Sequence, residues 1–255
     1  MSAAKRRELE KERRRTDILN TAEQLFFSMG FENVSLNDIA KELQLGRSTL
    51  YLYFENKEEL FFAIVLRGAL ILYKLINEEV KSTDTAIEKL AAFKKAYYVF
   101  ANDYPDHLKS YNYLLSGRFD FDYYGKKEYK IGFIEQSKYY SEYKKILDSN
   151  MLTNFPIPKF SAGEYLDEIL SLRSEMLNIL CESIEQGKQE GTIRPNVNSA
   201  EATVLLTLIA NSIDNLPPDL ENLLESQKID HEQFIMDVGQ FIGYMVSNKF
   251  EGKLQ

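Results

Sequence analysis

One cysteine, Cys181, stands in the whole chain, so no intramolecular disulfide can form and packing alone must hold the fold. That fits a reducing compartment. The N-terminus is charged where an export signal would be apolar, so a cytoplasmic location is expected. Long apolar runs are also lacking. The most apolar stretch, Phe61 to Ile76, is interrupted by Arg67 and Lys74 and is too short to span a bilayer, so it reads as a buried helix with no membrane partner. Histidine is scarce: His107 and His231 lie far apart and without metal-ligand spacing. No phosphate-cradling glycine loop, nucleophile elbow or metal motif is present, so no catalytic site, cofactor or metal is expected. Asp120, Asp122 and Glu128 could hold a cation, although a solvated loop is the plainer reading. Finally, the chain has only 6 prolines and 12 glycines, while charged and apolar residues recur at helical spacing almost throughout. The fold class expected is all-α.

What is there is unevenly distributed. The length of 255 residues suits a compact body with a small appended domain, and 44% hydrophobic with 27% charged residues is ordinary for a chain that buries a core. Net charge is −8, but the first fifteen residues hold seven cations (Lys5, Arg6, Arg7, Lys11, Arg13, Arg14, Arg15) against Glu8, Glu10 and Glu12. That is a net +4, which leaves −12 for the remainder. A basic arm on an acidic body suggests that one end meets phosphate. The arm itself, residues 1–13, lacks an apolar face and reads as a frayed helix or a disordered segment.

A first helix is predicted from Arg14 to Met29, with Ile18, Leu19, Ala22, Leu25 and Phe26 on one face and Gly30 ending it in the left-handed conformation. Ser35 and Asp38 are spaced as a capping box that opens a short helix from Leu36 to about Leu43. Gln44, Leu45 and Gly46 make a turn, and a second short helix runs from Arg47 to about Tyr53. Asn56 caps a long helix from Lys57 to Val80. Further helices are predicted near 84–103, 105–116, 128–149, 164–190, 199–215 and 231–249. Pro105 sits at a first helical position, and Gly191 with Pro195 ends the long helix before it. The stretch holding Pro217 and Pro218 reads as irregular.

The informative segment is Ser35 to Phe54: two short helices around a tight turn, preceded by a third. Ile39, Ala40, Leu43, Leu45, Leu50 and Phe54 supply a small core. This is a helix-turn-helix, in which the second helix enters the major groove of DNA. The stretch from Val34 to Leu60 resembles the DNA-binding domain of the tetracycline-repressor (TetR) family. Ile18, Leu19, Leu25, Phe26, Gly30 and Phe31 upstream, and Asn56, Lys57, Glu58, Glu59 and Leu60 downstream, fall at that family's spacings. The match covers about residues 14–65, roughly a fifth of the chain.

The resemblance implies roles. Arg47, Ser48 and Tyr51 correspond to positions that touch bases or phosphates, and Tyr53 to one that packs and contacts the backbone. Ser35, Asn37 and Lys57 correspond to phosphate contacts. Arg47 is suited to guanine, whose O6 and N7 its fork can engage together. Three positions depart from the family. Gln44 stands where glycine is usual, Gly46 where a hydroxyl cap is usual, and Leu52 where histidine is frequent.

Beyond the first domain, eleven of the sixteen tyrosines lie between Tyr97 and Tyr143. The resemblance implies a small-molecule effector bound among the central helices, with Phe93, Tyr97, Phe100, Tyr111, Leu114 and Leu115 as wall candidates. Half-exposed helix faces would use tyrosine equally well. The helices near 199–215 and 231–249 each carry a broad apolar face, and the resemblance assigns them to a homodimer interface; burial within one subunit is the alternative. The expected organisation is therefore an arm (1–13), a DNA-binding domain (14–56) and a ligand-binding and dimerisation domain (57–255). The expected function is a TetR-like regulator, acting as a repressor on palindromic double-stranded DNA. A different class stays open: a helical ligand- or partner-binding module whose helix-turn-helix no longer engages DNA.

Overall fold

The structure, a computed structural model, describes residues 2–124, 157–213 and 216–247. Among them the chain is helical throughout: α1 (Ala3–Met29), α2 (Leu36–Glu42), α3 (Arg47–Tyr51), α4 (Lys57–Lys81), α5 (Ala86–Asp103), α6 (Pro105–Leu115), α7 (Ala162–Gln189), α8 (Ser199–Ile213), α9 (Pro218–Ser226) and α10 (His231–Val246). Short 3-10 turns lie at Phe31–Asn33 and Phe121–Tyr124. The fold is all-α, with an N-terminal helix-turn-helix and a larger helical remainder. The helix predicted at 128–149 lies outside the described residues, as does Glu128.

The chain divides into two compact units. One comprises Met1–Asn77 with Ala96–Glu175, the other Glu78–Lys95 with Met176–Gln255. The helix-turn-helix lies wholly in the first. That unit is centred on α4, where every residue from Leu60 to Leu66 is buried. A helix apolar on all sides can be stable only when it is wrapped. Ile18, Leu19, Ala22 and Phe26 of α1 join the same core, with Leu108, Tyr111 and Leu114 of α6 and Tyr165, Leu166 and Ile169 of α7.

Arg67 of α4 is fully buried and donates to Glu23 Oε2 at 2.8 Å and to Asn20 Oδ1 at 3.0 Å, both on α1. His107 of α6, also buried, lies against the Phe27 ring at 5.0 Å and has Nε2 4.0 Å from the same Glu23 oxygen. The polar groups of three helices therefore meet at one point. A second tie involves Arg15. Its guanidinium donates to the carbonyls of Ile157 and Pro158 and to the Tyr165 hydroxyl, and lies 4.9 Å from the Phe54 ring.

In the second unit, Leu177, Leu180, Ile184 and Ile193 form the core with Ala86 and Ala92. Gly191 (φ +70°) ends the α7 segment as its position predicts, with Thr192 and Ile193 N–H both donating to the Gly187 carbonyl at 2.9 Å. Cys181 is half-buried, with Sγ 3.2 Å from Thr203 Oγ1. Val204, Leu205 and Leu208 of α8 and Met236, Phe241 and Tyr244 of α10 are exposed, and so are Leu220 and Leu223 of α9.

Several sequence expectations need correcting. The arm is not frayed: α1 begins at Ala3, with Ser2 capping the Lys5 N–H. Alanine, lysine, arginine and glutamate there are strong helix formers. Arg15, counted above among the cations of the first fifteen residues, belongs to the core. Gly30 has the positive φ expected (+82°), but ψ of 148° turns the chain outward instead of into the left-handed helical well. α3 ends at Tyr51, short of Tyr53. Leu43 and Leu45 are half-buried. The Pro217–Pro218 stretch opens α9, since a proline fits the first helical position, where the N–H has no helical partner to lose.

Candidate nucleic-acid interface

Ser35 opens α2 with a complete capping box. Its hydroxyl accepts from the Asp38 N–H at 3.3 Å and donates to Asp38 Oδ2 at 2.6 Å, and Asp38 Oδ2 also receives the Ser35 N–H at 2.9 Å. These bonds hold the Asp38 carboxyl below its ordinary pKa. The Ser35 hydroxyl is therefore engaged within its own turn.

The turn between α2 and α3 runs through Gln44 at φ 53°, a left-handed residue where glycine would be unstrained. The Gln44 N–H still bonds to Lys41 O at 3.0 Å, and the Leu45 N–H to Ala40 O at 2.8 Å. Gly46 caps α3 with extended backbone and no side-chain bond.

α3 is held from beneath by Leu50, fully buried, and by Phe54 just beyond it. This leaves Arg47, Ser48, Tyr51 and Leu52 facing out. Arg47 Nη2 donates to the Tyr51 hydroxyl at 3.1 Å, and the guanidinium lies 5.5 Å from the Tyr51 ring. The pair is one helical turn apart, so each side chain fixes the other on an exposed face. Tyr53 is half-buried at the base of the helix.

Lys57, the first residue of α4, donates to Phe31 O at 2.9 Å and lies 4.1 Å from the Phe31 ring. It is tied to the 3-10 turn that precedes α2. Phe31 in turn packs on Phe61 at 4.5 Å, while neighbouring Glu32 accepts from the Tyr113 hydroxyl of α6. Lys57, Ser35, Asn37, Arg47 and Tyr51 share one concavity of about 330 Å³ with Glu32, Asn33, Val34 and Leu36. Five of the seven residues singled out for DNA are brought together there, and Ser48 and Tyr53 are outside its lining. Glu32 and Asn33 were not foreseen. An acid in that position carries no phosphate-binding signal, and its place follows from the turn set by Gly30.

The wall candidates for an effector are placed as follows. Phe93 is half-buried in the second unit. In the first unit Phe100, Tyr111 and Leu114 are buried and Tyr97 and Leu115 half-buried. Phe100 stacks on Tyr104 at 5.9 Å, and the Arg173 guanidinium lies 5.9 Å from the Tyr111 ring.

Residues 18–64 match the family described as "Bacterial regulatory proteins, tetR family". This segment is a tetR-family domain. Its limits enclose the buried face of α1, the helix-turn-helix and the start of α4. An HTH-type transcriptional regulator of Staphylococcus aureus (strain bovine RF122 / ET3-1) is 33% identical over 106 residues, covering 42% of this chain and 48% of that protein. The chain thus spans about half the length of the curated relatives it matches. Among solved structures, a tetR-family regulatory protein from Rhodococcus RHA1 aligns with a TM-score of 0.58 at 17% identity, over 91% of this chain and 96% of that one. FadR from Bacillus subtilis, solved with stearoyl-CoA, aligns at 0.53 and 18% identity, over 89% and 96%. At these identities the likeness is one of fold, and it extends through the helices that follow the tetR-type domain.

Proposed function

We propose that this chain is a TetR-like transcriptional regulator, acting as a repressor: a cytoplasmic homodimer that binds palindromic operator DNA and is released by a small molecule. Residues 14–56 bind DNA, and residues 57–255 bind the effector and dimerise. Arg47, Ser48 and Tyr51 read the major groove. Ser35, Asn37, Tyr53 and Lys57 position the backbone, with Asn37 and the start of α2 doing more than the already engaged Ser35 hydroxyl. Tyr97, Phe100, Tyr111, Leu114 and Leu115, all of the first unit, line the effector site. FadR, a neighbour in fold, is a regulator that holds an acyl-CoA, which supports a ligand role for the larger domain.

The observation that carries this reading is α3 itself. It is anchored by Leu50 and Phe54 and presents Arg47 and Tyr51 as a preformed pair beside Lys57. Selection of bound sites from random duplex DNA should return a palindrome. Against it, Arg47→Ala should lose about 10-fold to 100-fold in affinity and relax one base position, the loss of one bidentate contact. Lys57→Gln should weaken all sequences alike and lower the slope of log affinity against log salt by about one. A flat salt dependence for the intact protein would favour a helical binding module that has left DNA.

A further inference from the structure

The first three turns of α1 project from the chain. Residues 2–14 are all exposed, and the first buried residue is Arg15. Over Ala3 to Arg14, at about 1.5 Å per residue, the projection is about 18 Å long. Neither glycine nor proline interrupts it.

Its charges are only partly sorted by face, with Glu10 lying between two basic rows. Arg7, Lys11 and Arg14 fall at i, i+4 and i+7 and form one stripe; Arg6 and Arg13, seven apart, lie beside it. Glu8 and Glu12 fall elsewhere, in line with Arg15 and Leu19, on the continuation of the face that becomes buried. Among the described residues none of these five cations takes part in an ion pair, although Glu10 is within helical reach of Arg6, Arg7, Arg13 and Arg14. Like charges at this spacing each cost a few tenths of a kcal/mol of helix stability. A stripe that a helix would do better without is expected where a partner supplies the opposite charge.

The stripe is also rooted in a definite place. Arg15, its last turn, packs against Phe54, three residues beyond the end of α3. The projection therefore starts beside the helix assigned to the major groove.

We propose that this projecting stripe is a second DNA-contacting element, which binds backbone phosphates of duplex DNA flanking each half-site. The inference rests on the DNA-binding reading above. The occupant is a polyanion because, among the described residues, none of these five cations has an acidic partner. Its regular spacing suits the phosphates of a duplex, and its length spans about five base pairs at about 3.4 Å each.

The test compares the selected palindrome as a duplex trimmed to its ends with the same palindrome extended by about ten base pairs on each side. The intact protein should show a steeper salt dependence on the extended duplex, by about 0.9 for each added phosphate contact. R7Q/K11Q/R14Q should select the same palindrome, show equal slopes on both duplexes, and bind the extended one about 10-fold to 100-fold more weakly at low salt. Glutamine matches lysine and arginine in helix propensity, so the helix is retained. As a second variant, E8Q/E12Q should bind the extended duplex more tightly than the intact protein. Equal slopes for intact and triple-variant proteins on the extended duplex overturn the proposal while leaving the palindrome in place. Failure of the intact protein to select any site overturns the DNA reading, and this proposal with it.

Discussion

Arg67 illustrates how one residue can be both necessary and costly. A fully buried guanidinium loses its hydration, and desolvation pulls its pKa down while the Glu23 carboxylate pushes it back up. Glu23 itself is raised, with burial outweighing the attraction of Arg67. A buried pair of this kind is weak support for net stability, but losing one partner is severe. Glu23→Ala should destabilise the protein by about 3–5 kcal/mol, read from the urea midpoint, whereas Glu23→Met with Arg67→Met should recover most of the loss. A cost for Glu23→Ala below about 1 kcal/mol would mean that water reaches the guanidinium.

His107 faces the same pair, and burial followed by the Arg67 charge lowers its pKa from 6.5 to about 4, with Asp106 opposing. Its imidazole is neutral at pH 7. Because the folded pKa lies below the unfolded one, the unfolded chain takes up this proton first. Stability contributed by His107 is therefore complete above about pH 6.5 and is lost as pH falls towards 4, up to about 3 kcal/mol. Glu23 acts in the opposite sense, since a raised carboxyl favours the folded state as it protonates. The difference between the intact protein and His107→Gln isolates the histidine. Unfolding midpoints followed from pH 7 to pH 4 should fall more steeply for the intact chain, and parallel curves would refute the burial argument.

At the level of elements, the turn between α2 and α3 carries strain that can be measured. Gln44 sits at φ 53°, where a side chain costs about 1 kcal/mol relative to glycine. Gln44→Gly should raise stability by about 0.5–1 kcal/mol, less the entropy glycine gains when unfolded, without changing the selected DNA sequence. The same turn shows why so much of this domain was legible. The Ser35–Asp38 box, the Asn56 cap on Glu59 and the apolar positions of α1 are local signals, and the structure places helices where they point.

What was not legible depends on long-range contact. Nothing in the spacing of Lys57 announces that it donates to Phe31 O, or that Glu32 meets Tyr113 of α6. Arg15 looks like the other arm cations until Ile157 and Tyr165 are brought to it from about 140–150 residues away. The N-terminal projection was misjudged for a different reason. A stretch with Leu9 as its single large apolar side chain between Ser2 and Arg14 carries no apolar periodicity, yet a strong helix attached to its end spares it the cost of nucleation.

For the molecule as a whole, the second unit has more exposed apolar surface than a lone chain should carry. Val204, Leu205 and Leu208 on α8 and Met236, Phe241 and Tyr244 on α10 are all open to solvent, with Leu208 and Phe241 about 60% exposed. Surfaces like this mark an interface. On the proposed reading α3, five residues long, reads only a few base pairs, so useful specificity would need a second copy reading the other half of a palindrome. In the proposed homodimer a self-complementary patch would meet both demands, because a two-fold axis would relate the two apolar faces as it relates the two half-sites. Leu208→Glu and Phe241→Glu should therefore each convert a dimer to a monomer in sedimentation experiments. Neither should lower the unfolding temperature of the single chain by much, since both side chains are exposed in it. Each should cost more than about 100-fold in operator affinity while leaving Arg47 and Lys57 untouched, since the two half-sites would then have to bind independently. Dimers persisting in both variants would move the interface to another face of the molecule.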